Sequence, residues 1–205
     1  MNQIEALRRV RALQTPVVES RDVAALLQVS ASNATTIMRR LADADMITHL
    51  SRGRWLIDQK IDRIALPELI SAPSPAYVSL QSALFLHGLI EQIPAIIYAV
   101  TPGRPRQIST PVATISFHHM PAELFRGFEL APSSDAKIAT AEKALFDLLY
   151  LAPARSRLFA RSPELTIPPG FKWQRLRDYA ALVKSPGRRA FIAERIKALR
   201  SAARG

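Results

Sequence analysis

Apolar residues recur at helical spacing three times within the first forty-odd positions, and the pattern then changes to alternation. Ile4, Leu7, Val10 and Leu13 predict a helix over residues 2–14. Thr15-Pro16 ends it, because proline disfavours helix in the residue before it. Val23, Leu26 and Leu27 make one face of a second helix, with Ser20 as its expected N-cap and Asp22 complementing the helix dipole. Gln28-Val29-Ser30 turns the chain, and Ser30 is suited to cap a third helix. There Ala34, Ile37, Met38 and Leu41 fall at i, i+3, i+4 and i+7, the spacing of a buried stripe. Residues 47–50 and 55–57 then alternate as strands around Ser51-Arg52-Gly53-Arg54.

The polar positions of the third helix carry the first functional signal. At 100° per residue Ser32, Thr36 and Arg39 lie opposite the buried stripe, with Asn33 and Arg40 on the flank. Arginine can pair with guanine, asparagine with adenine, and hydroxyls with either. The turn between the strands adds Arg52 and Arg54. Helix, turn, helix and ribbon together predict a winged helix-turn-helix over residues 1–58, whose usual use is major-groove binding to duplex DNA. The bland alternative is a small protein-interaction domain with a solvated polar helix.

Beyond residue 58 the pattern is mixed. Pro67 can open a short helix, and Ser71-Ala72-Pro73-Ser74-Pro75 reads as a linker, so residues 59–75 are expected to separate two domains. Ser79 should cap a helix over 80–87 that Gly88 stops. Residues 95–101 are a continuous apolar run suited to a buried strand, followed by a rigid basic loop over 102–106 that carries Arg104 and Arg106. Residues 114–118 and 128–130 read as further strands. Thr140 caps a strong helix over 141–151, and helical patterns return over 175–183 and 188–200. The fold class expected is α+β: a winged-helix head, then a mixed α/β domain over 76–205 with a helical, basic C-terminus.

Composition narrows the class. The 205 residues are 48% hydrophobic and 22% charged, an ordinary globular balance, and contain no cysteine, which removes disulfides and thiol chemistry. No apolar run reaches membrane-span length and the N-terminus lacks the apolar core of a signal peptide, so a cytoplasmic protein is expected. Net charge is +11, unevenly spread. Residues 1–60 hold nine cations and six anions, 61–150 six and eight, and 151–205 thirteen and three. The last segment, with Arg155, Arg157, Arg161, Arg175, Arg177, Arg188 and Arg189, is a candidate nucleic-acid surface, reaching operator phosphates or an RNA.

Catalytic and metal chemistry find little footing. His118 and His119 are adjacent on an expected strand and point to opposite faces, so they do not chelate one ion together. Asp135-Ala136-Lys137, with Glu123 or Glu129 upstream, matches a short piece of metal-dependent nuclease cores, and a nuclease with a DNA-binding head is the alternative reading. Glu142 and Lys143 read as helix capping and surface charge. No glycine-rich phosphate loop is present, and no catalytic residue, cofactor or metal is expected.

Several later segments carry a family likeness: AYVSLQSALFLHGLI at 76–90, YAVTPGR at 98–104, ISFHH at 115–119, FRGF at 125–128 and IATAEKALFDLLY at 138–150. In this order and spacing they resemble the antitoxin domain of the AbiEi family. One departure is Ala141, where relatives commonly carry proline; the first helical position tolerates most residues. The resemblance implies a bacterial transcriptional autoregulator and antitoxin of a type IV toxin–antitoxin pair linked to phage abortive infection. It also implies a nucleotidyltransferase-like toxin as functional partner, opposed without a stable complex. Small DNA-reading heads generally occupy paired half-sites, so two copies on an inverted-repeat operator are expected, with a homodimer forming at least on DNA.

Overall fold

A computed structural model describes residues 2–58, 60–132, 134–152 and 164–203. It is a mixed α+β protein with two sheets. Among the described residues no helix is long and apolar enough to cross a membrane.

The first part of the chain runs α1 (Gln3–Arg11), β1 (Val17–Glu19), α2 (Ser20–Leu27), α3 (Ala31–Asp43), β2 (Thr48–Ser51) and β3 (Arg54–Leu56). The strands form an antiparallel sheet in the order β1-β3-β2. Its core joins Ala6 and Val10 of α1, Val23 and Leu27 of α2, Ala34, Met38 and Leu41 of α3, and Trp55 of β3. In α2 and α3 these fall on the stripes that helical spacing predicts. Helix α1 departs from its expected stripe: it ends at Arg11, Ile4 is exposed, and Leu13 is exposed beyond the helix, because the packed face runs through Ala6 and Val10. One cap differs from expectation. Glu19 is the N-cap of α2 and Ser20 is its first helical residue. The Ser20 hydroxyl instead accepts a hydrogen bond from the Trp55 indole N–H at 2.9 Å, tying α2 to the sheet.

The expected linker is a packed connection. A 3-10 turn at Arg63–Ala65 runs into α4 (Leu66–Ser71), and Leu66 and Ile70 are fully buried. They join Leu50 and Leu56 of the small sheet to Val78, Ala99, Ile115 and Phe117 of the large one. Proline opens α4 as expected, because the N–H it lacks has no helical partner in the first turn.

The large sheet has the order β6-β7-β5-β4-β9-β8. Its strands are β4 (Tyr77–Val78), β5 (Ile97–Thr101), β6 (Arg106–Ser109), β7 (Thr114–His119), β8 (Phe128–Leu130) and β9 (Lys137–Ala139). The pairs β5–β7 and β4–β9 are parallel and the remaining pairs antiparallel. One face meets α4 and the small sheet. The other is covered by α5 (Leu80–Leu86), α6 (Ala141–Leu151), α7 (Trp173–Ala181) and α8 (Pro186–Ala202) through a second core centred on Leu84, Leu145, Phe146, Leu176 and Ile192. Alternation along the strands explains the division: Val78 pairs with Ala99 on one face, and Tyr77 with Val100 on the other.

Candidate nucleic-acid interface

Helix α3 is held from behind and open in front. Ser30 caps it, its hydroxyl accepting from the Asn33 backbone N–H at 3.2 Å. Ala34, Met38 and Leu41 are fully buried against α1 and α2. On the other side Ser32, Asn33, Thr36, Arg39 and Arg40 are all exposed. The Thr36 hydroxyl donates to the Ser32 carbonyl at 3.0 Å, which leaves its lone pairs facing outward. Arg39 and Arg40 have no hydrogen-bond or ion-pair partner among the described residues. The face is therefore a row of donors and acceptors that internal bonding leaves almost unused.

The two turn cations, Arg52 and Arg54, differ in their surroundings. Arg52 is exposed, with no partner among the described residues, in the turn between β2 and β3, where Gly53 holds φ +73°, a value that suits glycine. Arg54 turns the other way. Its guanidinium pairs with Glu19 at 3.3 Å and donates to the carbonyls of Ile70 and Ala72. Arg106 reaches the same segment from the large sheet, donating to the Ser71 carbonyl at 3.4 Å while lying over the Phe117 ring at 4.9 Å. Carbonyls at a helix C-terminus lack intrahelical partners, and cations suit that end of the dipole. Both arginines thus serve the joint between the two sheets.

Alanine at Arg54 should lower the unfolding free energy by about 1–3 kcal/mol, because charge-assisted bonds to the part-buried Ile70 carbonyl and the exposed Ala72 carbonyl are lost. The same change should leave the salt dependence of DNA binding as it is in the wild type. Denaturant unfolding and a salt titration measure the two effects. A flattened salt slope at unchanged stability would return Arg54 to the DNA-facing surface.

The other expected cations divide. Arg104 is exposed in the loop between β5 and β6 and has no partner among the described residues. Arg175 is exposed on α7, and Arg177 donates to the Gln174 side chain at 2.6 Å. Arg188 packs its guanidinium over the Tyr150 ring at 4.8 Å, serving the contact of α8 with α6. Arg189 donates to the Val183 carbonyl at 3.4 Å. Arg155, Arg157 and Arg161 lie outside the described residues.

Two members of the nuclease piece stand in separate ion pairs. Lys137 pairs with Glu68, and Glu123 pairs with Lys184 at 2.9 Å. Among the described residues no three His, Asp or Glu side chains come together as a metal site. Lys137 also lines a cleft of about 1140 Å³ between the end of α1 and the β8–β9 hairpin. Its facing charges are largely engaged, with Asp62 accepting from the Ser134 hydroxyl at 3.0 Å and Glu68 held by Lys137.

A buried polar cluster is the feature that the surface reading of α6 misses. Lys143, expected as surface charge, is instead buried and forms an ion pair with the equally buried Asp147. Asp147 also accepts from the Tyr77 hydroxyl at 3.0 Å and the Ser79 hydroxyl at 2.7 Å. The Lys143 ammonium sits among the rings of Phe146, Tyr77 and Tyr179, 4.9–5.6 Å from their centroids. Burial pushes the Asp147 carboxyl up and the Lys143 ammonium down from their ordinary values, and each opposes the shift of the other. Burial and the neighbouring Asp147 push the Tyr77 hydroxyl well above 10.0. Leu80, fully buried at φ +53°, makes the sharp strand-to-helix turn that sets Ser79 beside Asp147. Glu142 is buried as well and accepts from the Lys172 backbone N–H at 2.9 Å, where α7 begins. A sequence signal for this exists: α6 is apolar nearly all round, which marks a buried helix, and Lys143 and Asp147 stand at i, i+4 within it.

No protein-family model and no curated protein matches the chain.

Proposed function

We propose that residues 1–58 are a winged helix-turn-helix head that reads duplex DNA with Ser32, Asn33, Thr36, Arg39 and Arg40, while Arg52 touches the backbone or minor groove. The observation that carries the reading is the α3 face, exposed and, among the described residues, engaged internally only by the Thr36–Ser32 bond, on a helix whose opposite side is packed. The order helix, strand, two helices and a two-stranded ribbon, with β1 beside β3, supports it.

The wider role proposed is that of a cytoplasmic transcriptional autoregulator and antitoxin of a type IV toxin–antitoxin pair, with residues 76–205 as the antitoxin domain. Its functional partner is a nucleotidyltransferase-like toxin that it opposes without a stable complex. This part rests on the resemblance of the five segments between 76 and 150, which supply β4, α5, β5, β7, β9 and α6.

The test is a mobility-shift titration on duplex DNA from upstream of the gene. Arg39→Ala should weaken binding about tenfold to a hundredfold, the effect of losing one bidentate base contact. Two copies should bind at saturation, on the halves of an inverted repeat. Unchanged affinity for both Arg39→Ala and Arg52→Ala would contradict the assignment, and a single bound copy would contradict the paired half-sites.

A further inference from the structure

Helices α7 and α8 enclose a groove of about 500 Å³ in which charge of one sign converges. Arg177 of α7 and Arg189, Lys197 and Arg200 of α8 line it, and among the described residues no acidic side chain does. The acidic residues of the two helices stand elsewhere: Asp178 accepts from the Gln174 amide at 2.7 Å, and Glu194 does not line the groove. Along α8 the positions 189, 193, 197 and 200 advance by four, four and three residues, which keeps them on one face. At 1.5 Å per residue the cations of α8 span about 17 Å, roughly five phosphate steps at the 3.4 Å axial spacing of one duplex strand. Lys197 is exposed and Arg200 half-buried, and neither has a partner among the described residues. Arg177 donates from Nε and Nη2 to the Gln174 side-chain oxygen at 3.2 and 2.6 Å, and Arg189 donates from Nη1 to the Val183 carbonyl at 3.4 Å. A guanidinium has five N–H donors, so these bonds orient both groups and leave donors over for a ligand.

We propose that this groove binds the phosphodiester backbone of a nucleic-acid strand, with Arg177, Arg189, Lys197 and Arg200 neutralising its phosphates. Four cations lining one concavity repel one another, and a bound polyanion relieves that repulsion. The packing of α8 does not call for them, since Ile192 and Ile196 anchor the helix to the main core. A protein partner needs an apolar centre to its interface, and the larger apolar residues of the lining, Ala180 and Ile196, are buried in that core. Interfaces with nucleic acid are instead polar and strongly positive. Only the alanine methyls at 181 and 193 are exposed between the cations, so a backbone can come within reach of the long side chains. The described lining has no aromatic ring on which a base could stack, so the groove recognises backbone rather than sequence. The basic C-terminal surface expected from charge is thereby narrowed. Arg188, which lies over Tyr150, and Arg175 fall outside the groove, while Lys197 and Arg200 enter it. The inference does not rest on the DNA reading of α3: other residues carry it, on a helical layer that covers the opposite face of the large sheet from the small sheet.

The experiment uses the full chain with a labelled single-stranded RNA and with a duplex DNA that lacks the upstream sequence, each titrated with salt by fluorescence anisotropy. Lys197→Gln with Arg200→Gln should flatten the slope of log K against log salt by about 1.4 on the RNA, or by about 1.8 on the duplex, according to which backbone the groove holds. Lys197→Gln alone, at an exposed position where folding is unaffected, should give about half of that change. Arg63→Gln with Arg126→Gln removes the same charge from exposed positions outside the groove and should keep the wild-type slope. Equal slopes in the groove and control variants on both nucleic acids overturn the proposal. Displacement of the RNA by inorganic tripolyphosphate or by a polyglutamate peptide at the same concentration of charge overturns it as well, because the groove would then take a free anion or an acidic protein.

Discussion

Asp147→Ala is expected to destabilise the protein by about 3–5 kcal/mol, because removing one partner leaves the other charge buried and uncompensated. Lys143 would then stand among three aromatic rings with no carboxylate and no exposure, while Tyr77 and Ser79 lose the acceptor for their hydroxyls. A charge-free double variant separates the ion pair from packing. Lys143→Met with Asp147→Leu should be less destabilising than Asp147→Ala alone, since apolar replacement of a whole buried pair is often neutral. Denaturant unfolding of the three proteins measures the difference. A single variant no worse than the double would mean that the carboxylate does not compensate the lysine.

Gly127→Val should cost a comparable amount by an unrelated route. Gly127 has φ +79°, where a β-branched residue is strained. A Cβ there would stand 2.2 Å from the Tyr179 hydroxyl oxygen and 2.8 Å from the ring carbon bearing it. Tyr179 belongs to α7 and packs on Phe146 at 5.6 Å between centroids, so it has little room to retreat. Backbone strain and overpacking each contribute roughly 1–3 kcal/mol. The companion change Tyr179→Ala removes the obstacle, and in that background the valine should retain only the strain cost. Additive effects of the two changes would show that the ring and the glycine do not meet.

Periodic segments were the legible part of this chain. The stripes of α3 and α6 fall where 3.6-residue spacing puts them, and the β2–β3 ribbon alternates visibly around Gly53. Strands of two or three residues, β1, β4 and β9, carry too few positions for alternation to register, and only their ladders define them. The fate of Arg54 was unreadable for a different reason. Its partners are backbone carbonyls sixteen and eighteen residues away, and a carbonyl has no letter in the sequence. Arg52, two positions earlier and identical in type, is exposed in the turn and has no partner among the described residues. Lys143 illustrates the opposite case, a visible i, i+4 pair in an otherwise largely apolar helix whose burial could have been inferred.

The central claim is that α3 reads base edges rather than presenting a generic polar surface. Its most direct test measures the affinity of the full chain, wild type and Arg39→Ala, for the upstream duplex and for every single base-pair variant across one half-site. The account predicts that wild type loses about 1–3 kcal/mol at each contacted pair, and that Arg39→Ala becomes indifferent at one pair while keeping the other preferences. Identical base preferences in the two proteins, or no preference in either, would contradict it.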